Sequence, residues 1–306
     1  MGSLHFVVVS AAASLLLMAA FDGALVHADF YNDVDFVWGY QNAGIWNDGN
    51  SLSLMLDNVS GLHRLFPSLA MSGFIQSSPY PALMFRLWDG DEEAVSVWEH
   101  RSADQTGEGE LFGHCNSLSS TGDEHDEIDF EFLGNETGQP YIIHTNIFTQ
   151  GVGNREEQFY PWFDPSADFH NYTIHWNPSQ VVNYESYGVP FPNRQAMRAY
   201  SSIWEADEWT TRGGLVKIDW KSAPFVAYYQ YLQLRACPWY GPSSSSECSA
   251  ASPANWWASP EYSTLTYQEQ GQMNWVRDNY MIYDYCKDTE RFYGATPPPE
   301  CSLPKY

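Results

Sequence analysis

The stretch HDEIDFEFLGN, residues 125–135, decides the reading of this chain. Successive side chains of a β-strand point to opposite faces. Glu127, Asp129 and Glu131 therefore share one face, and Ile128, Phe130 and Phe132 the other. The apolar face belongs in a core, which leaves a row of three acids on the opposite side. Like charges that close repel, so at least one of them is expected to keep its proton well above the usual carboxylate range. A protonated acid beside a carboxylate is what glycoside cleavage needs: one protonates the leaving oxygen while the other attacks the anomeric carbon. Four residues of strand span roughly 13 Å at about 3.3 Å each, whereas retaining chemistry wants carboxyl groups about 5–5.5 Å apart. Glu127 and Glu131 must then lean together over Asp129. A solvated acidic face, or a calcium site built from oxygen ligands, are the alternatives that the three acids alone leave open.

Outward from this strand, the chain reads as short alternating segments separated by Gly, Pro and Asn turns. Strands are expected at 51–57, 126–133, 141–149, 172–176, 196–204 and 214–220, and a short helix around 267–280. The stretch 242–260, rich in Ser, Pro and Ala, reads as loop or linker. The pattern predicts an all-β fold, an antiparallel jelly-roll β-sandwich.

Composition bounds the partners. The chain has 306 residues, a net charge of −24 and 16% aromatic residues. Such acidity disfavours nucleic acid, anionic membranes and acidic polysaccharides, because phosphate binding needs Lys and Arg to displace counterions. A neutral ligand fits. An apolar run from Phe6 to Leu25 ends in Val26-His27-Ala28, which predicts a secretory signal peptide cleaved after Ala28, although a basic leading region is lacking. Of five cysteines, Cys237, Cys248, Cys286 and Cys301 lie in the last quarter, spaced as two short loops, and Cys115 is left over. Short cysteine loops suit an extension stapled in an oxidising compartment. Sequons occur at Asn58, Asn135 and Asn171.

HDEIDFEFLGN followed by ETG resembles the signature of the xyloglucan endotransglucosylase/hydrolases of glycoside hydrolase family sixteen. The resemblance continues through PYIIHTNIFTQGVGNREEQFYPWFDPSADFHNYTIHWNP (140–178), YSSIWEADEWTTRGGLVKIDW (200–220) and MIYDYCKDTERF (281–292), covering more than half the chain in the family's order. It implies a concanavalin-like sandwich over residues 29–222 and a small disulfide-stapled extension over 223–306, after a signal peptide over 1–28. It implies Glu127 as nucleophile, Glu131 as acid/base, and Asp129 holding the nucleophile by a hydrogen bond. Substrate-binding positions would be Glu131, His144, Thr145, Asn146, Asn154, Arg155, Glu156, Glu208, Trp209, Gly213 and Arg291. Asn135 would carry a glycan, and the four C-terminal cysteines would form two disulfides. Trp209 offers a flat face to a pyranose ring, whereas Trp162, Trp176 and Trp204 read as core packing. The implied enzyme is a secreted, monomeric cell-wall transglycosylase and glycosidase, needing no cofactor or metal. It would transfer a xyloglucan donor to a xyloglucan oligosaccharide acceptor or to water. A non-catalytic carbohydrate-binding sandwich and a mixed-linkage or β-1,3-glucan hydrolase are the rival readings.

Two stretches depart from the family pattern. Residues 62–118 lack its strand pair, but Ala103–Ser117 read one base out of frame permits QIKLVRGSSSGTVT, and Val95–His100 permits YLYGS. This segment therefore reads as a frameshifted translation, preceded by a retained intron beginning near Gly61, which also accounts for Cys115. A clean transcript matching residues 60–120 as written would refute that origin. After Val182 the family's next strand is missing. Both gaps predict unpaired strand edges near the cleft and a chain that folds poorly or lacks activity.

Overall fold

The computed structural model describes residues 30–59, 71–76, 82–86, 110–135, 138–167, 169–170, 172–177, 184–205, 214–215, 217–230, 232–237, 248, 250, 252, 255, 257 and 259–304. At 37–38, 71–76, 82–86, 110–116, 135 and 233–237 it describes the backbone alone.

The central sheet has eight strands in the order β1-β4-β11-β6-β7-β8-β9-β14. In chain order these are β1 (Asp35–Trp38), β4 (Met71–Gln76), β6 (Glu110–Ser119), β7 (Glu127–Asn135), β8 (Ile142–Phe148), β9 (Glu157–Phe159), β11 (Arg198–Glu205) and β14 (Met281–Asp284). A three-stranded sheet joins β2 (Ala43–Trp46), β3 (Ser51–Leu56) and β12 (Phe225–Gln230) in the order β12-β3-β2. Another joins β5 (Ala82–Arg86), β10 (Thr173–Trp176) and β13 (Gln233–Cys237) in the order β10-β5-β13. Paired neighbours run antiparallel.

Alternation explains why these layers face each other. Leu52, Leu54 and Leu56 of β3 and Phe225, Ala227 and Tyr229 of β12 are buried on one side of their sheet. They join Ile128, Phe130 and Phe132 of β7 and Ile174 and Trp176 of β10 in a single core. Burying that much apolar side chain is the main stabilising term, of order 1.5–3 kcal/mol per large residue. Trp176 and Trp162 pack as the sequence suggests. Trp176 is buried and donates Nε1–H to the Pro192 carbonyl at 2.8 Å, and Trp162 meets Trp275 at 5.2 Å and Tyr280 at 5.1 Å.

The expected β-sandwich and the stapled extension are both present. A helix, α1 (Tyr267–Asn279), falls where the sequence places it and starts in a capping box between Thr266 and Glu269. Cys286 and Cys301 are bonded. Cys248 is disulfide-bonded as well, while the side chain of its expected partner Cys237 lies outside the described residues.

Two expectations are corrected. The described residues of 214–220 form no strand: Asp219 instead accepts a hydrogen bond from the Lys221 amide at 3.0 Å and opens a 3-10 turn, Trp220–Ser222. The side-chain acceptor offers the backbone a local alternative to a ladder. The gap expected from 62–118 does not open in the central sheet either, because β4 fills the place between β1 and β11, and β6 that between β11 and β7. Antiparallel pairing needs only backbone groups in register, so an altered sequence can occupy the positions. Between β10 and β11, by contrast, the described residues hold only a 3-10 turn, Glu185–Tyr187. The expected signal peptide and the expected substrate-binding positions Glu208, Trp209 and Gly213 lie outside the described residues.

Candidate active site

The β6–β7 turn and β7 itself position the acids. Asp126, fully buried, accepts from the backbone amides of Gln150 at 3.1 Å, Arg194 at 2.7 Å and Gln195 at 3.3 Å. Ser120 Oγ accepts from the Asp126 amide at 2.8 Å. These bonds fix where the strand begins. Gly151 lets the next turn approach: its φ is +75°, and a Cβ there would sit 2.0 Å from the Asp123 carbonyl.

From that start, the register pairs Ser119 with Glu127 and Ser117 with Asp129 on one side. On the other it pairs Asp129 with Asn146 and Glu131 with His144. Directly opposed residues share a face, so the acids, two serines, Asn146 and His144 form one polar surface. Thr145 is opposite Phe130 and lies on the core face instead.

The three acids occupy unlike surroundings. Glu127 keeps its side chain 25% exposed, accepts from Ser119 Oγ at 2.5 Å and has His125 Nε2 at 3.6 Å. Asp129 is buried; burial first, then the charge of Glu127 and a hydrogen bond with it, hold its proton well above the usual range. Glu131 is pushed up to about 8, by burial first and then by Glu127 and Glu156. Its Oε2 is shut from solvent and has no hydrogen-bond partner among the described residues. The row therefore holds one solvent-accessible acid beside two that burial holds in the protonated form. Burial brings His144 down to about 4, so it is neutral, with Nδ1 3.0 Å from the Gln158 amide nitrogen.

The loop before β9 completes the surface. Asn146 Oδ1 accepts from the amides of Ile147 at 2.9 Å and Arg155 at 3.0 Å, tying that loop to β8. The Arg155 guanidinium turns towards the C-terminal extension, with Nε donating to Glu300 at 2.7 Å and Nη1 to the Val152 carbonyl at 3.0 Å. Arg291 reaches back from the extension to Asn154 Oδ1 at 2.8 Å and grips Glu156 with contacts of 2.6 and 3.0 Å. Tyr283 Oη accepts from Arg291 Nη1 at 3.0 Å and donates to Asp288 at 2.8 Å.

Of the positions singled out in sequence, Glu127, Asp129, Glu131, His144, Asn146, Asn154, Glu156 and Arg291 thus come together. Ser119, His125 and Gln158 were not singled out. Ser119 is eight residues before Glu127, and the β6–β7 hairpin, with its seven-residue connection, pairs the two directly. Among the described residues no group of three or more His, Cys, Asp or Glu side chains is arranged to hold a metal ion. A cavity of about 360 Å³ opens against β14, lined by Met281, Ile282, Tyr283, Asp284, Lys287 and Asp288, and not over the acids.

Residues 30–222 match the model of "Glycosyl hydrolases family 16", and residues 251–301 that of the "Xyloglucan endo-transglycosylase (XET) C-terminus". The chain belongs to the xyloglucan endotransglucosylase/hydrolases of that family. Xyloglucan endotransglucosylase protein 1 of Diospyros kaki is 42% identical, over 93% of this chain and 93% of its own. Xyloglucan endotransglucosylase/hydrolase protein 15 of Arabidopsis thaliana is 41% identical, over 94% of each. For Xyloglucan endotransglucosylase protein 7 of Diospyros kaki the identity is 41%, over 92% of this chain and 98% of the relative. Membership spans both the sandwich and the extension, so the Arg291–Glu156 contact joins two segments that each match a family model.

Proposed function

We propose that this xyloglucan endotransglucosylase/hydrolase works by a retaining mechanism in which Glu127 is the nucleophile and Glu131 the acid/base. The carrying observation is the inequality of the two groups on one strand face: Glu127 is open and hydrogen-bonded, and Glu131 is pushed up to about 8. A Glu127 oxygen attacks the anomeric carbon, the glycosidic C–O bond breaks, and the Glu131 proton passes to the leaving oxygen. Glu131, now ionised, takes the proton from a hydroxyl of the incoming acceptor, whose oxygen displaces Glu127. Asp129, sharing a hydrogen bond with Glu127, orients the nucleophile.

The substrate is the β-1,4-glucan backbone of xyloglucan, with a xyloglucan oligosaccharide or water as acceptor. His144, Asn146, Asn154, Glu156 and Arg291 would hydrogen-bond sugar hydroxyls, joined by Arg155 and by Glu208, Trp209 and Gly213. Secretion to the cell wall as a monomer, glycosylated at Asn135, and a Cys237–Cys248 bridge belong to the same reading. The bonded cysteines support an oxidising compartment. Incubation with xyloglucan and a labelled oligosaccharide acceptor tests the activity. Incorporation that disappears in Glu127→Gln is expected; binding without incorporation in the unaltered chain would favour a carbohydrate-binding sandwich.

A further inference from the structure

The polar face holds a fourth acid to which the reaction scheme gives no part in proton transfer. Gln158 is opposite His144, which is opposite Glu131. Glu156, two residues before Gln158, therefore falls on the same face, one strand beyond Asn146 and Asp129. Its charge acts on Asp129, Glu131 and His144, favouring the proton on each. Glu156 differs from the other acids in having a counter-cation, Arg291, which lies inside the loop closed by Cys286 and Cys301. Arg291 is itself set by Tyr283 and Asn154.

We propose that Glu156 is a positioning residue for the proton on Glu131, and that the C-terminal extension adjusts its influence through the Arg291 clamp. The inference rests on the acid/base reading of Glu131. A carboxylate nearby makes Glu131 harder to ionise, and a guanidinium on that carboxylate weakens the effect. Among the described residues, the titratable and charged groups on this face are Glu127 and Asp129 on β7, His144 on β8, Glu156 before β9, and Arg291 with Tyr283 behind it, with Arg198 and Tyr200 of β11 farther off beyond Glu127. His125 sits beside Glu127, and Cys115 is the register partner on β6. Glu156 is the one that couples this row to the extension. The sandwich and the stapled tail then share a proton-transfer step, and damage to the tail would show in the pH profile.

The test is the pH profile of kcat at saturating xyloglucan for the full chain and its variants. General-acid action needs the protonated form, so the alkaline limb reports loss of that proton by the coupled acids. Glu156→Gln is expected to move this limb down by on the order of half to one pH unit. Arg291→Met, which leaves Glu156 unclamped, should move it up, and Arg291→Lys should restore it. In the double variant Glu156→Gln/Arg291→Met the upward shift should vanish. A limb unchanged in Glu156→Gln, or single variants moving the same way, overturns the proposal. Retention of the full profile by Glu131→Gln would instead overturn the acid/base reading on which it stands.

Discussion

Strand β7 and the loop that leads into β9 build the same polar surface by opposite means. In β7 every functional side chain follows from local sequence: alternation sets the face and the hairpin register sets the neighbours. In the 154–157 loop the partners come from more than a hundred residues away. Arg155 meets Glu300, Glu156 meets Arg291 and Glu157 meets Arg277, three consecutive residues tied to the extension. In the proposed mechanism the first region carries the chemistry, whereas the second determines how the extension is held against it. Damage to the one should thus abolish turnover, and damage to the other should alter stability or pH response while leaving some turnover.

The sharpest separation is expected at Glu131. Glu131→Gln should lower kcat by about 10²–10⁴-fold, as loss of a general acid/base does. Its stability should change with the opposite sign. The folded pKa is raised to about 8, so the contribution of Glu131 is fully present below its unfolded value and lost as pH rises through about 8. Melting curves of Glu131→Gln and the parent should therefore coincide near pH 4 and separate towards pH 8, the variant melting higher. A variant that melts lower at pH 8 would contradict the burial of a protonated acid.

The long-range region is tested by Arg277→Met. Arg277 makes a bidentate contact with Glu157 at 2.7 and 2.9 Å, and lies 3.5 Å from Asp284. Removing it takes the guanidinium from Glu157 and from buried Asp284, which still accepts from the Cys286 amide at 3.0 Å, and should cost about 2 kcal/mol in denaturant unfolding, with kcat for the folded fraction near normal. A large fall in kcat without loss of stability would erase the distinction between the regions.

Ser119→Ala returns to the chemical side with a smaller effect. The hydroxyl donates to Glu127, the proposed nucleophile, and losing a hydrogen bond to a charged group is worth about 1.5–3 kcal/mol. Part of that is recoverable from water at this exposed carboxylate, so kcat should fall about tenfold, with Glu127→Gln abolishing what remains. Least of all, Thr266→Ala, which removes the capping-box hydroxyl of α1, should cost about 1 kcal/mol of stability and leave the transfer rate unchanged.

The same contrast separates what was legible in the sequence from what was not. The acid row, the apolar face of Ile128, Phe130 and Phe132, and the helix with its cap depend on spacing within a dozen residues, and each stands where spacing puts it. The ion pairs of residues 155–157 leave no local trace, because the chain between β9 and the extension sets them. Residues 214–220 alternate like a strand, yet Asp219 captured its own turn. The strands of 62–118 took their places through backbone pairing, which side-chain identity does not reveal.

The most direct measurement is the covalent intermediate itself. A xyloglucan oligosaccharide donor carrying a 2-fluoro substituent and a good leaving group should slow the second displacement and leave the sugar on the enzyme. Peptide mass spectrometry should then find the adduct on Glu127, and none in Glu127→Gln. An adduct on another residue, or turnover of the donor with no adduct at any acid of β7, would contradict the assignment.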